Sequence, residues 1–196
     1  MASIQVNIIE NVIKGLDQEK QNAEKVIKRT VGDVKSRGPG WVSMAVRKEY
    51  NISAGDVKSA CHVESAGSIT LGGTTVDDVA LVYRGRVLTP THFKMKPDTR
   101  PEGGKPYQVK AEIKKRQRKT LSSIAFLAHS GGADSMQIPF QRRGKERIPI
   151  DAIKTISVPQ MIQDGDGNTK PKIEEAINEG IKKRFDNYVK QYLSDK

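Results

Sequence analysis

The sequence predicts an α+β protein: N-terminal helices, a central and mostly antiparallel sheet, and a C-terminal amphipathic helix. Two changes of hydrophobic period carry this reading. Apolar residues recur at three- and four-residue steps up to about residue 60, alternate singly through the middle of the chain, and return to helical spacing near the end. The segments are 1–65, helical; 66–150, basic and β-rich; and 151–196, helical again. At 196 residues they suit one domain with a helical arm.

Residues 4–34 read as one long helix. Ile9, Val12, Ile13 and Leu16 share a stripe with Ala23, Val26, Ile27, Val31 and Val34, and Gly15 weakens the middle. Gly38-Pro39-Gly40 is expected to stop that helix. A second helix then runs to Tyr50 with Trp41, Met44 and Ala45 on one side. Ser53 caps a third, around Val57 to Cys61, with Asp56 at the capping-box position.

Val79, Leu81 and Tyr83 alternate along a strand that Arg84-Gly85-Arg86 turns or bulges. Tyr107, Val109, Ala111 and Ile113 interleave with Gln108, Lys110, Glu112 and Lys114, the clearest strand pattern in the chain. The apolar run from Ile124 to Ala128 suits a buried central strand. Met136, Ile138 and Phe140 alternate before the basic turn Arg142-Arg143-Gly144-Lys145, and Ile148-Pro149-Ile150 reads as an edge. Ser157-Val158-Pro159 starts a helix. After a polar loop, a terminal helix from about Pro171 carries an apolar stripe from Ile173 through Phe185 to Leu193.

Charge is localised. Residues 1–83 hold ten Lys and Arg against ten Asp and Glu, and residues 148–196 hold eight of each. Residues 84–147 hold sixteen against five, so the net charge of +11 falls there. An excess confined to one segment predicts a positive surface rather than general solubility. Lys114, Lys115, Arg116, Arg118 and Lys119, with Arg142, Arg143, Lys145 and Arg147, are the candidate contacts to DNA or to an acidic partner. Cys61 is the only cysteine, which excludes an internal disulfide. With no secretory leader and no membrane-length apolar run, a chain folding in a reducing cytoplasm is expected.

Catalytic patterns are wanting. His62, His92 and His129 are widely spaced and form no ligand motif, and Cys61 has no neighbouring base in sequence. Ser130-Gly131-Gly132-Ala133-Asp134 lacks the lysine of a phosphate loop and precedes a strand. Asp164, Asp166, Asn168 and Glu175 match part of a calcium loop, but Thr169 stands where its glycine belongs and Pro171 follows. No catalytic residue, metal or cofactor is expected. The reading is a non-enzymatic structural protein.

Ile124-Ala125-Phe126-Leu127-Ala128, the run from Gln141 to Ile150 (QRRGKERIPI) and Ser157-Val158-Pro159-Gln160-Met161-Ile162 resemble the prophage minor tail protein Z family of tailed bacteriophages. The likeness covers about residues 80–193. It implies a structural component of the head–tail junction, acting in tail completion and head–tail joining as a ring of several copies. Implied partners are its own copies, the tail terminator and the head connector, with packaged phage DNA nearby and no membrane. The implied location is the virion tail or neck, with the host cytoplasm during assembly. The long N-terminal stripe, in that setting, makes Val26 and Ile27 candidate subunit-interface residues. Two rivals stand beside this reading: a DNA-binding regulator using a helix-turn-helix-like segment at 42–61, and an enzyme whose site assembles only in three dimensions.

Overall fold

The computed structural model describes residues 2–71, 74–132, 134–163 and 167–193. Its elements, in chain order, are α1 (Ala2–Glu49), α2 (Ala54–Ser59), β1 (Cys61–Leu71), β2 (Thr74–Tyr83), β3 (Lys94–Lys96), β4 (Lys110–Glu112), β5 (Arg118–Thr120), β6 (Phe126–His129), β7 (Gln137–Arg142), β8 (Ile150–Ala152), α3 (Val158–Gln163) and α4 (Thr169–Tyr192). The α+β class, the antiparallel sheets and the helices at both ends agree with the sequence. The three sequence segments do not correspond to the structural divisions. The chain forms two compact units that interleave along it: residues 1–39, 63–82 and 175–196 in one, and 40–62 and 83–174 in the other.

In the first unit, α1 and α4 run antiparallel. Tyr188 donates its hydroxyl to Asp33 at 2.8 Å, and the Arg29 guanidinium lies 5.1 Å from the centre of the Tyr192 ring. Val26 is buried, as is Thr30, whose hydroxyl donates to the Val26 carbonyl at 2.8 Å. The α1 stripe from Ile9 to Leu16 lies outside the residues whose side chains are described. Most of the two-stranded sheet β1–β2 belongs to this unit, and Gly38 lies against it. A Cβ at that position would stand 2.7 Å from a Leu81 methyl, so hydrogen is the only side chain that fits without a shift.

Gly38-Pro39-Gly40 does not stop α1, which continues to Glu49. Proline removes one N–H and crowds the preceding turn. Here Leu81 packs at Gly38 before it, and Val42, Ala45 and Val46 are buried after it, so packing outweighs the local penalty. The buried face of this last stretch also differs from the expected one. Met44 is exposed, and the residues inside are at 42, 43, 45 and 46. Phe185 and Leu193, placed on the buried stripe of α4 by spacing, are likewise exposed, whereas Ile173 is buried.

The second unit holds two three-stranded antiparallel sheets, in orders β3-β4-β5 and β6-β7-β8. They share one core, in which Met95 from β3 and Leu127 from β6 meet Val109 and Ala125, with Tyr107, Leu121 and Ile153 at its margin. The Tyr107 hydroxyl accepts the Leu127 N–H at 2.9 Å. The run at 124–128 is therefore not a central strand: β6 is an edge, Ile124 is exposed, and β7 lies in the middle. Pro139 sits in that middle strand and is fully buried, and its carbonyl accepts the Ile153 N–H at 2.8 Å.

Both short helices begin as their sequences direct. Ser53 accepts the Asp56 N–H at 3.0 Å. At α3 the exchange is reciprocal: Gln160 N–H to the Ser157 hydroxyl, and Ser157 N–H to the Gln160 side chain at 2.8 Å. Cys61, expected at a helix end, instead opens β1.

Candidate polyanion-binding face

The second unit contains 22 Lys and Arg against 11 Asp and Glu, an excess of 11 equal to the net charge of the whole chain. The first unit contains 12 of each and is neutral. The excess of residues 84–147 thus stays within the β-rich unit, and it includes residues that the sequence argument did not single out.

The sheet β3-β4-β5 shows how. Register places Lys94 opposite Glu112 and Lys96 opposite Lys110, then Glu112 opposite Arg118 and Lys110 opposite Thr120. Alternation turns Met95 and Ala111 inward to the core and sends these six residues to the outer face. Lys94, Lys96, Lys110 and Arg118 share that face with a single carboxylate. Glu112 accepts the Arg116 N–H at 2.9 Å and the Asn51 amide at 3.1 Å, and Arg118 stands 3.9 Å away. The Arg116 N–H, then the Asn51 amide, with Lys94 and Arg118 nearby, hold its carboxyl below the usual range, so it stays ionised. Its charge offsets one row of the face and leaves the row of Lys96 and Lys110 uncompensated. Lys96 and Lys110 also line an open groove of about 570 Å³ with Pro97, Pro106, Tyr107 and Gln108.

The expected basic residues are spread over the two sheets. Lys114, Lys115, Arg116, Arg118 and Lys119 belong to the β4–β5 turn and to β5, and they divide between faces. Arg118 joins the outer face. Lys119 is opposite the inward Ala111 and lines a hollow of about 250 Å³ with Tyr50 and Lys114, whose ammonium is 5.5 Å from the Tyr50 ring centre. Arg142, Arg143, Lys145 and Arg147 belong to the other sheet and its β7–β8 loop. Arg142 covers the Phe126 ring at 5.8 Å, and Arg143 forms a forked pair with Asp151 at 2.6 and 2.8 Å, which neutralises it. Lys145 and Arg147 are exposed. Lys94, Lys96 and Lys110 were missed because only strand register aligns them. The visible signal was the outward series Gln108, Lys110, Glu112.

Val26 is covered by its own chain, so it is not a surface for a second copy; Ile27 is half-buried. In the segment 42–61, α2 has only six residues, with Val57 buried and Asp56 engaged by Ser53, which leaves little with which to read bases.

His92 and His129 are held in structural contacts. His92 Nδ1 lies 3.2 Å from Asp56, a pairing across 36 residues that the sequence does not reveal. The adjacent Ser53 hydroxyl donates to Asp56, not to the imidazole, so the three are not in the order of a nucleophile and its base. His129 Nδ1 is 2.6 Å from the Ser135 carbonyl. Burial pushes the Cys61 thiol up, which keeps it protonated at neutral pH. Among the described residues no three His, Cys, Asp or Glu side chains cluster as metal ligands, although part of the Asp164–Asn168 loop lies outside them. No described helix is long and apolar enough to cross a membrane. No family model, curated protein or solved structure matches the chain.

Proposed function

We propose that this chain is a structural component of the bacteriophage head–tail junction, acting in tail completion and head–tail joining as a ring of several copies. The observation that carries the reading is the exposure of residues 141–150. All ten are exposed, and Ile148 is 73% accessible beside Lys145 and Arg147. They are one of the three segments in which the sequence resembles the minor tail protein Z family, beside 124–128 and 157–162. No side chain among them is buried; they form an exposed loop between β7 and β8, closed by the Arg143 N–H on the Pro149 carbonyl at 3.2 Å, in which the apolar Ile148 follows the charged run Lys145-Glu146-Arg147, a combination suited to a neighbouring subunit. A copy of the chain, the tail terminator or the head connector would cover Ile148.

Electron microscopy of particles from a phage lacking this protein tests the reading. Complete tails that fail to join heads support it, and restoration by the wild type but not by a folded Ile148→Asp variant places the contact. Normal infectious particles without the protein would overturn it.

A further inference from the structure

We infer that the outer face of β3-β4-β5 is a binding site for the phosphate backbone of double-stranded nucleic acid, with Lys94, Lys96 and Lys110 as its contacts. The inference rests on this sheet alone and goes beyond the junction role, so either can fail without the other.

The first argument is the register. Two lysines directly opposite on paired strands repel each other, and sheets ordinarily place an opposite charge or a neutral residue there. Lys96 and Lys110 are opposite, exposed and in no ion pair among the described residues. The neighbouring row follows the ordinary rule, since Glu112 stands between Lys94 and Arg118. An anion bound over Lys96 and Lys110 would complete the second row as Glu112 completes the first.

The second argument selects the anion. Three of the four cations are lysines, which act as point charges toward diffuse phosphate charge, whereas bidentate recognition of a carboxylate favours arginine. The face carries no apolar anchor of the kind that centres a protein interface, its residues being lysine, arginine, glutamate and threonine. It offers no free aromatic platform for unstacked bases either. Tyr107, the aromatic of the groove, is half-buried and holds the Leu127 N–H. A set of exposed lysines without stacking or base-reading groups fits the backbone of a duplex, bound without regard to sequence.

The test is fluorescence anisotropy with a random-sequence duplex of about 25 base pairs, titrated over a range of salt. The variants are Lys94→Gln/Lys96→Gln/Lys110→Gln and a control, Lys182→Gln/Lys183→Gln/Lys190→Gln, which removes the same charge from α4 of the neutral unit. Circular dichroism establishes that both fold; if the triple variant does not, Lys96→Gln/Lys110→Gln takes its place. We expect the sheet variant to lose on the order of tenfold or more in affinity at low salt. The slope of log K against log salt should fall by about 0.9 for each phosphate contact removed. The control should keep both. Equal losses in the two variants would overturn the site, because net charge alone would then explain binding. Absence of duplex binding by the wild type at low salt would also overturn it. So would displacement of the duplex by poly-glutamate at matched charge, which would assign the face to an acidic protein, or tighter binding of oligo-dT than of duplex.

Discussion

Tyr188 on α4 donates its hydroxyl to Asp33 on α1 at 2.8 Å, joining the two helices of the neutral unit through a carboxylate that Arg37 also reaches at 2.9 Å and Arg184 at 3.5 Å. Burial alone would raise the Asp33 carboxyl. The Tyr188 hydroxyl, then Arg37 and Arg184, outweigh it and hold the group below its ordinary value. The same bond, with burial and the Asp33 charge, raises the Tyr188 phenol.

These shifts set a pH window for the helical unit. A carboxyl lowered in the folded state adds stability above its unfolded pKa of about 4, and that contribution disappears as pH falls through the folded value. A phenol raised in the folded state adds stability below about pH 10 and loses it as pH rises further. Thermal melts should therefore be level near neutrality and fall below about pH 4 and above about pH 10. Asp33→Ala should cost about 2 kcal/mol, since three donors lose a charged acceptor. Tyr188→Phe should cost less and flatten the alkaline fall, with the drop in melting temperature above pH 10 as the measurement.

A different outcome is expected across the sheet. Replacing Lys110 by Thr removes the repulsion with Lys96 and places a β-branched residue in the strand, so stability should rise by a few tenths of a kcal/mol at low salt. Added salt should erase the gain by screening the pair in the wild type. Urea melts at two ionic strengths measure it. A loss of stability would mean that Lys110 contributes packing rather than charge.

The core of the second unit supplies the large effect. Leu127 is 1% exposed and meets Met95 and Val109, so Leu127→Ala should cost about 2–5 kcal/mol. Phe185→Ala, although it removes the larger side chain, should cost far less, because Phe185 is 43% exposed. Chemical denaturation of the two variants side by side decides whether exposure or residue type governs the cost.

Local signals were the legible part of the fold. The caps at Ser53 and Ser157, the alternation through Val109 and Ala111, and the helical period of α4 each depend on neighbours a few residues apart, which the sequence displays directly. What depended on distant residues was hidden. α1 passes through Pro39, with Leu81 packed at Gly38 before it and Val42, Ala45 and Val46 buried after it, and neither fact can be read from neighbours in the sequence. An apolar run at 124–128 signals burial, but strand order decides that it lies at an edge. The charge excess was readable by counting, whereas the opposition of Lys96 and Lys110 exists only once β3 pairs with β4. Arg143 was a candidate contact until Asp151, on the next strand, paired with it.

The last prediction separates packing from assembly at two adjacent residues of α1. Val26 is 1% exposed and Ile27 is half-buried on the neighbouring side of the same turn. A carboxylate at 26 would be buried without a partner, a costly arrangement that commonly ends folding. Val26→Asp should therefore lose cooperative melting by circular dichroism, and its failure in tail joining would say nothing about subunit contacts. Ile27→Asp can turn its carboxylate toward solvent and should remain folded, with a modest fall in melting temperature. If copies of the chain meet along α1, folded Ile27→Asp should fail to complete tails in vitro while wild type succeeds. Normal completion by that variant would remove α1 at this turn from the contact between copies and leave the exposed loop at 141–150 as the surface to test next.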